Sequence, residues 1–148
     1  MNYDELKLKN QLCFPLYAAS RELIKRYREY LEQIELTYTQ YIVMLVLWED
    51  RVLNVKALGK RLYLDSGTLT PVLKSLEAKG YVVRTRSSED ERMLMVEVTP
   101  EGDELKRRAM SIPQRMDGFA TLSDEEANQL YRLLYKLLDR DPDHPEEI

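Results

Sequence analysis

The sequence predicts a mainly α-helical fold with one small β-hairpin between the helices. Apolar residues recur at helical spacing from about residue 13 to residue 80 and again after residue 100. Between residues 81 and 99 the apolar period changes to two, which is typical of paired strands. With 148 residues, 44% of them hydrophobic, the chain is long enough to bury the core of one domain with helical extensions.

The N-terminal part predicts a helix over about residues 13–33, after a short helical turn within 4–11. The helix carries two neighbouring stripes: Leu12, Leu16, Ala19 and Leu23, and beside them Cys13, Tyr17, Ser20, Ile24 and Tyr27. Two stripes predict a helix that is buried on more than one side. Pro15 suits only the first turn of a helix, so we expect Cys13 at or just before the helix start.

A second helix is predicted over residues 39–48, capped near Thr37. These ten residues carry little charge, which indicates a buried element. Their β-branched content would allow a strand, but their length and their good helix formers favour a helix.

Two short elements follow and form a pair. Asn54 is a favourable N-cap for a helix over 55–62, and Asp65 or Ser66 can cap a further helix that runs to Lys79. The apolar face of this last helix consists of Leu69, Val72, Leu73 and Leu76. Only Tyr63 and Leu64 join the two helices, which is the spacing of a helix-turn-helix.

The β-hairpin comes next. Residues 81–86 predict a strand, 87–92 a polar loop and 93–99 the return strand, with Leu94, Val96 and Val98 on one face. Thr99 and Pro100 then predict the start of a helix over about 101–118. Ser123 opens a capping box for a last helix that runs to about 139. Its apolar side is Leu130, Leu133, Leu134, Leu137 and Leu138. A helix-turn-helix followed by a hairpin predicts a winged helix-turn-helix fold.

Composition excludes several classes of function. The single histidine, His144, lies in an acidic tail, and the single cysteine, Cys13, has no partner in its own chain for a disulfide. The sequence lacks the residues for a zinc ligand set, a catalytic triad or a glycine-rich phosphate loop. We therefore expect no metal, no cofactor and no catalytic residues. No apolar run is long enough to span a membrane and no signal peptide is present, which indicates a cytoplasmic protein.

The distribution of charge favours nucleic acid as the partner, although the net charge is −4. Residues 51–92 carry nine Lys and Arg against five Asp and Glu, a balance of +4. The balance is −2 over residues 1–50 and −6 over 93–148. A basic middle is therefore flanked by acidic ends, and the predicted helix-turn-helix and hairpin lie in it.

The outer side of the helix predicted from Asp65 carries small, hydroxylic or cationic side chains. A helix start with free N–H groups suits phosphate, and small side chains there allow close approach to base edges in the major groove. From the helix we expect DNA contacts by Asp65, Ser66, Gly67, Thr68, Thr70, Pro71, Lys74 and Ser75. From the hairpin we expect contacts by Arg84, Arg86 and Arg92, with Asp90 bracing Arg92 so that its guanidinium points into a minor groove.

Three separated motifs resemble the MarR family of repressors. They are residues 62–71 (LYLDSGTLTP), residues 88–92 (SEDER), and the pair 10–14 (NQLCF) and 36–41 (LTYTQY). The last pair is similar to the organic-hydroperoxide-resistance branch and its thiol-sensing relatives. The resemblance covers about residues 5–140 and implies a homodimer with intertwined N- and C-terminal helices. Such a dimer binds a pseudo-palindromic DNA operator.

The resemblance also implies roles for segments and residues. Residues 1–36 would form the N-terminal dimerisation helix with the sensor, 37–100 the DNA-binding domain, 101–140 the C-terminal dimerisation helices and 141–148 an acidic, disordered tail. Cys13 matches the peroxide sensor, and Tyr27 and Tyr38 match the two tyrosines of the partner subunit that hydrogen-bond it. Arg92 matches the arginine of the wing tip.

Two features depart from the family pattern and shape the expected mechanism. Pro15 follows the sensor cysteine where an ordinary helix residue is expected. There is no second cysteine, so oxidation of Cys13 to sulfenic acid would be followed by a mixed disulfide with a small external thiol or by further oxidation. A start-of-helix position favours the thiolate, which supports sensing.

Three other interpretations stay open at this point. The repressor could respond to a small aromatic ligand, with Tyr17, Tyr41, Met44 and Trp48 lining the pocket. It could be a thiol peroxidase, although the resolving cysteine is missing and no cation is evident beside Cys13. It could be an interaction module without DNA contact.

Overall fold

The structure, a computed structural model, describes residues 2–119 and 121–138. Two 3-10 turns, Asp4–Leu6 and Leu8–Asn10, precede the first helix, and a third, Glu32–Ile34, follows it. The helices are α1 (Cys13–Leu31), α2 (Tyr38–Asp50), α3 (Val55–Leu62), α4 (Ser66–Ala78), α5 (Pro100–Ala109), α6 (Ile112–Met116) and α7 (Asp124–Leu137). The strands are β1 (Val52–Asn54), β2 (Val82–Arg86) and β3 (Leu94–Val98). The predicted winged helix-turn-helix fold is confirmed.

The helix α2 lies at the centre of the core, as its low charge predicted. Its N-cap Thr37 accepts a hydrogen bond from the Gln40 backbone N at 3.2 Å, and the Gln40 side chain accepts one from the Thr37 backbone N at 3.0 Å. This capping box fixes the first turn of α2. The buried side chains of α2 include Val43, Met44 and Leu47.

The two helices of the helix-turn-helix are each fixed by a local cap. The Asn54 side chain accepts from the Ala57 N at 2.7 Å, and the Asp65 side chain accepts from the Thr68 N at 2.8 Å. Tyr63 has a left-handed backbone (φ 57°) that ends α3 and turns the chain towards α4. The apolar faces of both helices are buried, through Leu58 of α3 and Leu69, Leu73 and Leu76 of α4.

The sheet has three strands rather than the predicted two. The hairpin β2–β3 is present, and β1 pairs antiparallel with the other edge of β3, with Leu53 opposite Val96. β1 was not predicted, because three residues are too short to show a period of two. Val96 and Val98 are buried on the predicted inner face of β3.

The helix predicted over residues 101–118 is two helices in the structure, so that prediction is wrong. α5 ends at Ala109 and α6 begins at Ile112. Pro113 has no N–H group to donate to the Ala109 carbonyl, four residues earlier, so a continuous helix would lose that hydrogen bond. The predicted starts at Thr99 and Ser123 are both confirmed as N-caps.

The first half of α1 and the apolar side of α7 are uncovered in the single chain. Leu12 is 81% exposed and Leu137 is 64% exposed. The apolar positions at the start of α1 and on the outer side of α7 are therefore uncovered among the described residues, whereas Tyr27, further along α1, packs against Tyr38. The predicted helix end at about 139, the tail 141–148 and His144 lie outside the described residues. Within those residues, no helix combines the length and the apolarity that crossing a bilayer requires.

Gly102 in α5 offers a test of the packing between helix and sheet. A Cβ atom at this position would lie 2.2 Å from the Tyr81 carbonyl O and 2.9 Å from Val98 Cγ2. Gly102→Ala should therefore lower the free energy of unfolding by about 1–3 kcal/mol, although alanine is the better helix former. Urea denaturation measures this change.

The matched control is Gly67→Ala, the same substitution near the start of α4. A Cβ atom there meets only the flexible Asp65 carboxylate, at 3.3 Å. We expect this variant to unfold at the wild-type urea concentration or slightly above it. Equal stability of Gly102→Ala and Gly67→Ala would contradict the close backbone approach.

Candidate DNA interface and redox site

The start of α4 projects from the domain, with its apolar face directed inwards. Leu69 and Leu73 are buried against the core. The predicted contact residues on the other side are exposed: Asp65, Ser66, Gly67, Thr68, Thr70, Pro71 and Lys74. The Asp65 carboxylate accepts from the Thr68 N–H, and this bond holds the pKa of Asp65 below its ordinary value. The Asp65 carboxylate therefore caps the start of α4, and small side chains lie beside it on the exposed surface.

Ser75 has a different role from the one predicted. It is half-buried, and its Oγ accepts a hydrogen bond from Gln40 Nε2 at 2.9 Å. The Gln40 Oε1 also accepts from Lys79 Nζ at 3.3 Å, and Lys79 Nζ donates to the Glu35 carbonyl as well. Among the described residues Gln40 is the one buried polar side chain, 6% exposed. Ser75 therefore joins α4 to α2 through its hydroxyl.

The wing carries two exposed arginines, Arg86 and Arg92. The Arg92 side chain is 92% exposed, and its Nε lies 3.3 Å from Asp90 Oδ1. The same carboxylate oxygen accepts from the Arg92 backbone N at 3.0 Å. Asp90 thus contacts the base of the arginine as predicted, while the outer nitrogens of the guanidinium face outwards.

Arg84, also predicted to contact DNA, is engaged by a neighbouring helix in the structure. Its side chain is only 20% exposed and forms an ion pair with Glu77 of α4, with Nη2 3.0 Å from Oε1. The Arg84 backbone N donates to the other carboxylate oxygen at 2.9 Å. The sequence pattern does not predict this pair, because Glu77 and Arg84 lie on different elements that only the tertiary fold brings together. Arg84 therefore links the wing to α4.

Cys13 is the first residue of α1 and is exposed. Pro15 occupies the first turn of the helix, where its missing N–H group has no intrahelical partner to lose. α1 then continues without interruption to Leu31, so Pro15 does not displace the helix start that Cys13 occupies.

Tyr27 and Tyr38 lie together, but far from the cysteine of their own chain. Their ring centroids are 5.0 Å apart, and Tyr41 completes the cluster at 5.8 Å from Tyr27. Cys13 and Tyr27 are fourteen residues apart on one helix, which is about 21 Å. A hydrogen bond from these tyrosines to Cys13 thus requires the cysteine of a second copy.

Burial raises the pKa values of Tyr27, Tyr38 and Tyr41 above the ordinary phenol value. The three phenols therefore stay protonated at neutral pH and keep an O–H group to donate. Tyr41 was not predicted as a member of this cluster. The signal was its spacing of three residues from Tyr38, which places both rings on one side of α2.

The residues predicted to line a pocket for an aromatic ligand are mostly core residues. Tyr41, Met44 and Trp48 are buried. The Trp48 Nε1 donates to the Gly102 carbonyl at 2.8 Å, which fixes α2 against α5. Tyr17 is exposed and lies beside Arg21, which contacts its ring. Three of the four side chains thus lie in the core, and Tyr17 lies on the surface.

A projecting helix start beside an arginine-bearing hairpin defines a winged helix-turn-helix regulator that binds DNA. Residues 22–109 match a family model described as transcriptional regulator SarA/Rot. The chain belongs to the MarR family of transcriptional regulators, in the thiol-sensing branch with the organic-hydroperoxide-resistance regulators. The predicted resemblance is confirmed.

The relatives are similar over almost the whole chain. The organic hydroperoxide resistance transcriptional regulator of Bacillus subtilis is 48% identical over 137 residues, 93% of each chain. The HTH-type transcriptional regulator SarZ of Staphylococcus aureus is 42% identical over 140 residues, 95% of each chain. Among solved structures, reduced AbfR bound to DNA has a TM-score of 0.78 and 34% identity, covering 94% of this chain and 97% of that one. AbfR, from Staphylococcus epidermidis, has also been solved in an overoxidized form bound to DNA.

Proposed function

We propose that this protein is a repressor that binds a pseudo-palindromic operator as a homodimer and leaves it when organic hydroperoxide oxidises Cys13. The observation that carries the proposal is the exposed, hydroxylated start of α4 beside two exposed wing arginines. The exposed thiol of Cys13 supplies the signal. The relatives are transcriptional regulators, and we propose no enzymatic turnover for this chain.

A second copy of the chain would cover the apolar helices. We propose that residues 1–36 and 101–140 form the dimer, and that 37–100 form the DNA-binding domain of each subunit. The exposed apolar side chains of α1 and α7 support this division, because a helix with an apolar face needs a covering partner. Leu12, Leu16, Leu133 and Leu137 are such side chains.

In this proposal α4 enters the major groove and the wing reaches the flanking minor groove. The α4 residues that contact DNA are Ser66, Gly67, Thr68, Thr70, Pro71 and Lys74. They are small enough for the free N–H groups of the helix start to approach the duplex. Arg86 and Arg92 contact the duplex from the wing, while Asp65 and Asp90 hold the helix start and the wing tip.

The signal is a two-electron oxidation of one sulfur atom. The Cys13 thiolate attacks the terminal oxygen of the hydroperoxide, the O–O bond breaks, and the alcohol leaves after taking a proton. The sulfur becomes a sulfenic acid and the peroxide is reduced. A small thiol then attacks the sulfenic sulfur, water leaves, and a mixed disulfide remains.

The mixed disulfide is the product that we expect to release DNA most strongly. In the solved relative AbfR, an overoxidized form is bound to DNA, so extra oxygen atoms on that protein do not prevent binding. A mixed disulfide is bulkier and would separate Cys13 from Tyr27 and Tyr38 of the second copy. The dimer packing around these residues would then be disturbed.

The test is operator binding by fluorescence anisotropy, with a labelled duplex from the region upstream of the protein's own gene. We expect the reduced protein to bind this duplex on the order of 10³-fold more tightly than a scrambled duplex. Cumene hydroperoxide with free cysteine should remove this preference, whereas the corresponding alcohol with cysteine should not. Equal affinity for both duplexes would exclude the operator, and an unchanged preference after oxidation would exclude the sensor.

A further inference from the structure

One carboxylate joins the recognition helix α4 to the wing. Glu77 lies in the last turn of α4, and its two oxygens accept separately from Arg84 of β2. Oε2 accepts from the Arg84 backbone N at 2.9 Å, and Oε1 accepts from Nη2 at 3.0 Å. Both the backbone and the side chain of the strand are thus held by a single group on the helix.

The pair lies at the base of the wing. Val82, Arg84 and Arg86 share one face of β2, because side chains alternate along a strand. Val82 is buried, Arg84 is half-buried and Arg86 is exposed, so this face passes from the core to solvent along the strand. Arg84 stands at the point where the strand leaves the domain.

The guanidinium of Arg84 is directed to this contact rather than to DNA. Its Nε is buried and has no hydrogen-bond partner in the described part of the chain, while its Nη2 is used by Glu77. The Arg84 hydrogen bonds hold the pKa of Glu77 below its ordinary value, so the carboxylate is charged at neutral pH.

We propose that Glu77 and Arg84 are positioning residues for operator binding, which set the angle between the wing and α4. The inference rests on the proposed function, since it requires that α4 and the wing contact the same duplex. With the pair intact, Arg92 reaches the minor groove while the start of α4 lies in the major groove. Without it the hairpin can pivot at its base, and the wing tip is displaced most.

The charge of Glu77 makes a charge effect and a positioning effect change the operator affinity in opposite directions. If Glu77 influenced DNA only through its charge, Glu77→Ala would strengthen binding, because it removes a negative charge from a surface near phosphates. As a positioning residue, its loss should weaken binding. Arg84→Met, which keeps the length of the side chain, should weaken binding to a similar degree.

The experiment is a double-mutant cycle on operator affinity in the full chain. Arg92→Ala alone should weaken binding roughly tenfold. When Glu77 is already alanine, Arg92→Ala should lower the operator affinity by clearly less than tenfold, because the wing tip is already displaced. The matched control is Glu104→Ala, which removes an exposed, ion-paired glutamate from α5 and should leave the tenfold effect of Arg92→Ala unchanged.

Each outcome decides the question. Additive effects of Glu77→Ala and Arg92→Ala, or wild-type affinity of Glu77→Ala, would overturn the proposal. Loss of affinity in Arg84→Met but not in Glu77→Ala would identify Arg84 as a direct DNA contact and also overturn it. A wild-type protein that does not prefer its operator would contradict the proposed function itself, which is a separate result. Thermal unfolding of each variant shows that the domain is folded when its affinity is measured.

Discussion

Replacing Cys13 by serine should leave operator binding by the reduced protein at the wild-type level and abolish release by organic hydroperoxide. Serine is close in size, so the start of α1 is retained, but its hydroxyl is not oxidised by peroxide. Since Cys13 is the one cysteine in the sequence, no other thiol can replace it. Anisotropy titrations with and without cumene hydroperoxide and free cysteine measure the ratio of the two affinities.

For Cys13→Ser we expect the same operator affinity with and without the oxidant. Wild type should lose at least about tenfold in affinity on oxidation, which corresponds to a coupling free energy of the size usual between two linked sites. Cys13→Ala is a second variant that separates loss of the sulfur from gain of a hydroxyl. Intact mass spectrometry before each titration should show the added mass of one disulfide-linked cysteine on the oxidised wild type and on neither variant. Release of the serine variant by the oxidant would remove Cys13 from the mechanism. A small aromatic acid that releases it would favour a ligand-responsive repressor.

Thr68→Glu should abolish operator binding without harming the fold. Thr68 is exposed at the third residue of α4, and its backbone N donates to the cap Asp65. Glutamate at this position is favourable in a helix start, because its side chain can accept from the cap backbone N–H. The same side chain would place a negative charge against the phosphates, once in each subunit of the proposed dimer. We expect a loss of at least about 100-fold in affinity.

Two measurements separate binding from folding in this variant. Urea denaturation should give a free energy of unfolding equal to that of wild type or slightly higher. Gln114→Glu is the matched control, since it adds the same charge at an exposed position of α6 and should change affinity by less than about twofold. Operator binding by Thr68→Glu at wild-type strength would show that the start of α4 does not face DNA.

The elements that the sequence predicted correctly are those whose ends depend on nearby residues. Thr37, Asn54, Asp65, Thr99 and Ser123 each cap the helix that follows them, through a hydrogen bond that spans three residues. Such contacts can be read from the local sequence. The strand β1 could not be predicted from the local sequence, because its three residues form a strand only by pairing with β3, more than forty residues later.

The direction of individual polar side chains was harder to predict than the helices that carry them. Ser75 and Arg84 are of residue types that often contact DNA, and only the structure reveals their partners within the domain. Gln40 lies 35 residues before Ser75, and Glu77 is on a different element from Arg84. The exposed start of α4 was predicted because all of its apolar residues lie on the opposite side of the helix. In the proposed dimer, the neighbours that matter for Cys13 belong to the second chain, so the fold of one chain does not bring them to the cysteine.

The buried amide of Gln40 limits the ways in which such a protein can release DNA. This one side chain bonds to Thr37, Ser75 and Lys79, and so connects the first turn of α2 with the second half of α4. Sliding α4 along α2 would break these bonds in a nearly dry environment, at a cost of about 1–3 kcal/mol for each group left unsatisfied. We therefore expect α2 and α4 to move together as one rigid body. The two α4 helices of the proposed dimer must lie about 34 Å apart to match one turn of the duplex. We expect oxidation to change this distance, so that the dimer loses its operator while each DNA-binding domain stays intact.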